Sequence, residues 1–132
     1  MIMARSVLVD ACGWVALIDG GVHLEHAMAE VVGSAELIVL PAVRQELERL
    51  SSQRRGLMLD LLDERSSSCD IDLGVLLADV GHTDDQLVLV AEQLDADVLT
   101  VDIGLKRRLF GAGISFIEVV GEQRLRRVVP GD

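Results

Sequence analysis

Asp97-Val98-Leu99-Thr100-Val101-Asp102 is the stretch on which the fold turns, and Ser6-Val7-Leu8-Val9-Asp10 is its counterpart near the N-terminus. Each is an apolar run of strand length that closes on an aspartate. Apolarity that is continuous, not alternating, marks a strand buried on both faces, as in parallel sheets. Leu37-Ile38-Val39-Leu40 and Ser115-Phe116-Ile117-Glu118-Val119 repeat the pattern, and Cys69 to Leu73 adds a short run. Helical periodicity fills the intervals at residues 11–19 and 24–33, separated by Gly20-Gly21, and again at 53–64, before a polar break at Ser66-Ser67-Ser68. Pro41 opens a helix running to Leu50, a position where its missing N–H costs nothing. A weak helical segment follows Leu73. Thr83 and Gln86 have the spacing of a capping box for a helix from Asp84 to about Leu94. A basic helix follows Asp102, with Gly111 and Gly113 placed to end it. Residues 121–129 read as an edge strand or a loose arm. Strands alternating with helices predict an α/β three-layer domain, a mostly parallel sheet flanked by helices.

The 132 residues suffice for one domain spanning 1–132, with the last few residues as a tail, and half of them are hydrophobic. No apolar stretch approaches the roughly 20 residues that cross a bilayer. Met1 to Arg5 leads straight into the first strand, a poor signal peptide, so a cytoplasmic protein without a membrane partner is expected. Cys12 and Cys69 are too few and too far apart for a disulfide framework or a zinc cluster. His23 and His26 read as ordinary surface histidines. The net charge of −10 argues against a nucleic-acid partner, because neutralising phosphates supplies most non-specific affinity. Its distribution argues the other way: from Gly104 to Asp132 six basic residues face three acidic ones, and eleven of the twelve basic residues in the chain are Arg. Arginine suits bidentate phosphate contact, although a solvated charged face has the same composition.

In open parallel sheets ligands bind beyond the carboxyl ends of the strands. Asp10 and Asp102 stand there directly. Glu46 lies on the helix after the second strand, and Asp84 and Asp85 open the helix that leads back to the strand before Asp102. Four elements thus bring a carboxylate to one edge. Two carboxylates about 5 Å apart repel by roughly 3 kcal/mol at an effective dielectric near 20. No Lys or Arg stands beside these acids in a strand-end position, so a cation is the natural resolution. Hard oxygen ligands in an open arrangement suit Mg²⁺ or Mn²⁺, as one or two ions. Singly, each acid also fits a helix cap, a first-turn residue or a solvated face; the joint spacing carries the reading.

The four motifs together resemble the PIN-domain nucleases, from Val7 to about Val128. They are Val7-Leu8-Val9-Asp10; Ile38-Val39-Leu40-Pro41 with the helix carrying Glu46; Thr83-Asp84-Asp85-Gln86; and Leu99-Thr100-Val101-Asp102. Within that family the doubled Asp and the helix Leu105-Lys106-Arg107-Arg108-Leu109 look similar to archaeal relatives of the nucleases that process small-subunit ribosomal RNA. The family usually has Ser, Thr or Asn where this chain has Cys12, and commonly a polar residue where it has Val101.

The resemblance implies a metal-dependent ribonuclease. Asp10, Asp84 and Asp102, with Glu46 directly or through water, would hold the ions, and the spacing to Asp102 prefers Asp84 to Asp85. Thr100 and Cys12 would stand behind the acids, and Lys106, Arg107 and Arg108 would grip single-stranded or structured rRNA by its backbone. Two rivals share the fold. One is a VapC-type toxin, which would add an antitoxin partner and a homodimer; the other is a non-catalytic module binding RNA or protein. A receiver-like regulatory domain is disfavoured, because it wants its acid pair near the first strand.

Overall fold

The two apolar runs lie side by side. In the computed structural model, which describes residues 4–50, 52–67, 73–121 and 124–131, strand β1 (Arg5–Val9) pairs in parallel with β4 (Asp97–Leu99), Val9 opposite Leu99. Val7, Leu8, Val9, Val98 and Leu99 are all 0% exposed, as continuous apolarity requires. Each such side chain contributes roughly 1.5–3 kcal/mol by burial. On the other side of β1 stand β2 (Ala35–Ile38) and then β3 (Ser66–Ser67); beyond β4 stand β5 (Phe116–Val120) and β6 (Arg124–Val128). The six-stranded order is β3-β2-β1-β4-β5-β6, parallel throughout except for the β5–β6 pair.

Seven helices connect and flank the described strands: α1 (Ala11–Asp19), α2 (Leu24–Val32), α3 (Pro41–Glu48), α4 (Ser52–Arg65), α5 (Leu73–Leu76), α6 (Thr83–Leu94) and α7 (Ile103–Gly111). The chain runs outward from β1 to β2 and β3, then returns to lay β4 against the other flank of β1. The strand order therefore reverses between β1 and β4. That switch point is where an open α/β sheet leaves a crevice at its carboxyl edge.

Several boundaries differ from the sequence expectation. The second strand is Ala35–Ile38, not 37–40, because Ala35 pairs with Arg5 at the head of β1. Leu40 instead sits extended before Pro41, as the pre-proline clash requires, and Pro41 starts α3 as expected. The polar break at Ser66 and Ser67 forms a two-residue edge strand beside Leu37 and Ile38. Of the run at 69–73, residues 69–72 lie outside the described residues and Leu73 opens α5. The capping box does not form: His82 occupies the cap of α6, and the Gln86 side chain donates to the Val80 carbonyl at 2.8 Å. The tail segment is the edge strand, antiparallel to β5. Gly113 ends α7 as expected, at φ 76°. It donates to the Phe110 carbonyl at 3.1 Å while Ile114 donates to that of Leu109 at 2.9 Å, the paired bonds of a Schellman stop. Among the described residues no helix is long and apolar enough to cross a membrane.

Candidate active site

Asp10 follows β1 and caps α1, its Oδ1 accepting the Ala11 N–H at 2.9 Å. Its Oδ2 accepts the Thr100 hydroxyl at 2.8 Å and the Cys12 thiol at 3.1 Å. Thr100, 0% exposed, also accepts the Asp102 N–H at 3.1 Å. Asp102 caps α7 through Oδ1, which accepts from Leu105 N–H at 2.9 Å. One hydroxyl thus ties the first strand-end acid to the backbone of the last. Burial, foremost, raises the proton affinity of the Cys12 thiol, and the neighbouring Asp10 carboxylate adds to it. Cys12 is accordingly a neutral hydrogen-bond donor here, which is what its partner needs.

Gly13 makes this geometry possible, and the sequence reading passed over it. A Cβ at Gly13 would stand 2.5 Å from the Leu99 carbonyl oxygen and 2.9 Å from the Thr100 Cα. Only a hydrogen fits, so α1 presses against the end of β4 and delivers Asp10 to Thr100. The available signal was a glycine one turn into an otherwise sound helix, where it costs about 1 kcal/mol against Ala.

Asp84 lies in the first turn of α6, which packs against β1, β4 and α7. Its carboxyl is raised above the usual range, first by burial, then by the charges of Asp10 and Asp102, with Glu46 adding a smaller push and Arg108 opposing. The four acids predicted on α3, α6 and the two strand ends therefore share one field. Among the described residues none of the four forms an ion pair with Lys or Arg. Asp85 differs: it pairs with Arg108 at 2.7 Å, so the expectation of no neighbouring base fails there. Lys106 points elsewhere too, binding Glu118 at 2.7 Å.

Three acids are buried in the described structure: Asp97 at 0%, Asp10 at 5% and Glu118 at 6% exposed. Asp97 receives Arg5 at 2.8 Å and Arg127 at 2.6 Å. Glu118 is desolvated, yet Lys106 and Arg126 outweigh that and hold it below the usual carboxylate range. Among the described residues Asp10 has two neutral side-chain donors and no cation.

Four hard carboxylates at an open edge, one buried without a counter-charge, are a donor set suited to Mg²⁺ or Mn²⁺. Among the described residues no three His, Cys, Asp or Glu side chains converge closely enough to enclose an ion as they stand. The fit is therefore to a partly hydrated cation, the usual habit of Mg²⁺, and not to a closed cage. A cavity of about 480 Å³ between α2, β2 and the end of α4 contains none of the four acids. An open edge suits a polymer better than an enclosed small molecule. His26 pairs with Glu30 at 3.1 Å on the exposed face of α2, a surface role as expected.

A family model described as a PIN-like domain matches residues 7–122. The solved structure titled "Structure of the PIN domain endonuclease Utp24" is similar over 95% of this chain and 93% of that one, with a TM-score of 0.73 and 21% sequence identity. At that identity the likeness concerns the fold. No curated protein matches the sequence.

Proposed function

Because the chain belongs to the PIN-like domain family, we propose that it is a divalent-metal-dependent ribonuclease acting at the β1–β4 switch point. The observation that carries the reading is Asp10, which among the described residues is a buried acid without a cation, whereas the other two buried acids there receive two cations each. Asp10, Asp84 and Asp102 would hold Mg²⁺ or Mn²⁺, with Glu46 reaching it directly or through water. Bound there, such an ion supplies Lewis acidity, activating water for in-line attack on phosphorus and neutralising charge on the leaving oxygen.

The chain's own groups do the positioning. Thr100 fixes the plane of the Asp10 carboxylate and, through the Asp102 amide, the start of α7. Cys12 takes the remaining direction on Oδ2. Partners of this kind, mutated, cost metal sites about 10–100-fold. The doubled Asp84-Asp85 and the Leu105–Leu109 helix favour action on ribosomal RNA over the role of an antitoxin-paired toxin. That no three of these acids converge as they stand favours a second reading, a binding module of the same fold without turnover.

The test is cleavage of ribosomal and unstructured RNA with Mn²⁺ or Mg²⁺ by wild type and Asp10→Asn, with calorimetric Mn²⁺ titration alongside. The expected result is metal-dependent cutting by wild type and a loss of at least about 10²-fold in the variant, the scale of several kcal/mol of transition-state stabilisation. Equal cutting by both sinks the assignment of Asp10. RNA binding with neither metal uptake nor turnover supports the binding module.

A further inference from the structure

The chain has two Phe, one Trp and no Tyr. Trp14 and Phe116 are core residues at 0% and 5% exposure, whereas Phe110 is 53% exposed. Phe110 lies on α7, the helix capped by Asp102. Leu105 and Leu109 bury one face of that helix. The opposite face carries Ile103, 65% exposed, then Arg107 and Phe110, at the i, i+4, i+7 spacing that aligns side chains in one stripe. A singly exposed apolar residue is ordinary. Two on one stripe with a cation between them, running away from the acid edge, make a surface.

Its charge selects the occupant. Of the three consecutive bases on α7, Lys106 is tied to Glu118 and Arg108 to Asp85. Arg107 is exposed and, among the described residues, has no ion-pair partner. The stripe therefore offers one uncommitted cation beside an aromatic face, on a molecule whose net charge is −10. Beyond Phe110 the surface stays open, since a Cβ added at Gly111 would meet nothing within 4 Å. A ligand that is anionic and also presents flat apolar faces answers both features. Single-stranded nucleic acid does so, stacking bases on aromatic side chains while its phosphates meet Arg. A duplex hides its base faces.

We infer that Ile103, Arg107 and Phe110 form a platform on which single-stranded RNA stacks as it runs from the acid edge. This rests on the nuclease reading and adds the residues on which an unpaired strand would be seated. From Asp102 to Phe110 the helix rises about 12 Å, so the stacked base lies a few nucleotides from the phosphate held at the acids.

The experiment measures binding of an oligouridylate of about eight nucleotides, and of a duplex of equal length, by the full chain in EDTA. Without divalent ions nothing is cut, so the result stands apart from the cleavage test above. Wild type should prefer the single strand, and Phe110→Ala should weaken it roughly 5- to 100-fold, with thermal melts confirming the fold. Phe110→Trp should restore binding and Phe110→Leu should not. Arg107→Ala should flatten the salt dependence of log affinity by about 0.7, the release expected for one phosphate on a single strand. Unchanged affinity in Phe110→Ala, or full rescue by Phe110→Leu, overturns the platform. A change in sedimentation without a change in RNA affinity also overturns it, making the stripe a protein interface instead.

Discussion

The two ends of the β1–β4 pair treat acids in opposite ways. At the amino end, Asp97 is fully buried and held by Arg5 from β1 and Arg127 from β6. At the carboxyl end, Asp10 is nearly as buried but meets a hydroxyl, a thiol and an amide, while Asp10, Asp102 and Glu46 all press their charge on Asp84. The amino end is electrostatically complete and the carboxyl end is not. A buried charge left without a partner costs several kcal/mol unless something compensates it. Among the described residues arginines reach one acid and not the other, and the proposed metal site rests on that difference.

Breaking the complete end should have the largest effect on stability. Asp97→Ala strands two guanidinium groups, which are about 30% exposed and can partly turn to water. A loss near the lower end of the range for broken buried pairs, about 3 kcal/mol or roughly 10 °C in melting temperature, is expected. Stabilisation by added Mn²⁺ should survive in that variant. If Mn²⁺ no longer raises its melting point, the two ends are not independent and the comparison fails.

Gly13→Ala attacks the incomplete end through packing. The added methyl meets the Leu99 carbonyl at 2.5 Å, so α1 must retreat from β4. Overpacking of this kind costs about 1–3 kcal/mol, and the separation of Asp10 from Thr100 should lower Mn²⁺ affinity as well. Retention of full affinity, by calorimetry, would show that the close approach serves only the fold.

The smallest effect concerns Asp84. Its carboxyl is raised by burial and by the neighbouring acids. A raised carboxyl pKa means that ionisation weakens the folded state, a penalty absent below the unfolded pKa and growing as pH rises through the folded one. The melting temperature of metal-free Asp84→Asn, relative to wild type, should therefore increase as pH is raised through the acidic range and then level off. A difference that is flat with pH would mean that the acids do not feel one another.

The sequence revealed the carboxyl end more fully than the amino end. Val7-Leu8-Val9-Asp10 and Val98-Leu99-Thr100 carry local signals, an apolar run and its polar stop, and their pairing follows from the α/β rhythm. The partners of Asp97 are 92 and 30 residues away, and nothing local marks them. Ser66-Ser67 has no strand signal of its own and is ordered by the edge of β2. Asp10, Asp84 and Asp102 could be picked out as candidates because each sits at an element boundary, whereas Glu46 lies inside α3 and was marked only by its spacing after Pro41. Which bases stay uncommitted was not legible, since Lys106 and Arg108 are claimed by acids on β5 and α6. Gly13 shows the same limit, because its role depends on the backbone of a strand some ninety residues on, a reach only the folded chain brings close.

Trp14 sits one turn into α1, its amide donating to the Asp10 carbonyl at 2.9 Å and its indole N–H to the Met58 carbonyl at 3.0 Å. With no Tyr in the chain it is the sole strong near-ultraviolet emitter, enclosed in apolar surroundings and fastened to the helix that begins at the acid edge. An event that tugs on Asp10, whether cation capture or displacement of α1, would pass along a single turn of helix to this ring. Trp14 would thus act as an optical gauge beside the proposed site, a shift in its emission colour or intensity registering events at the edge without a label.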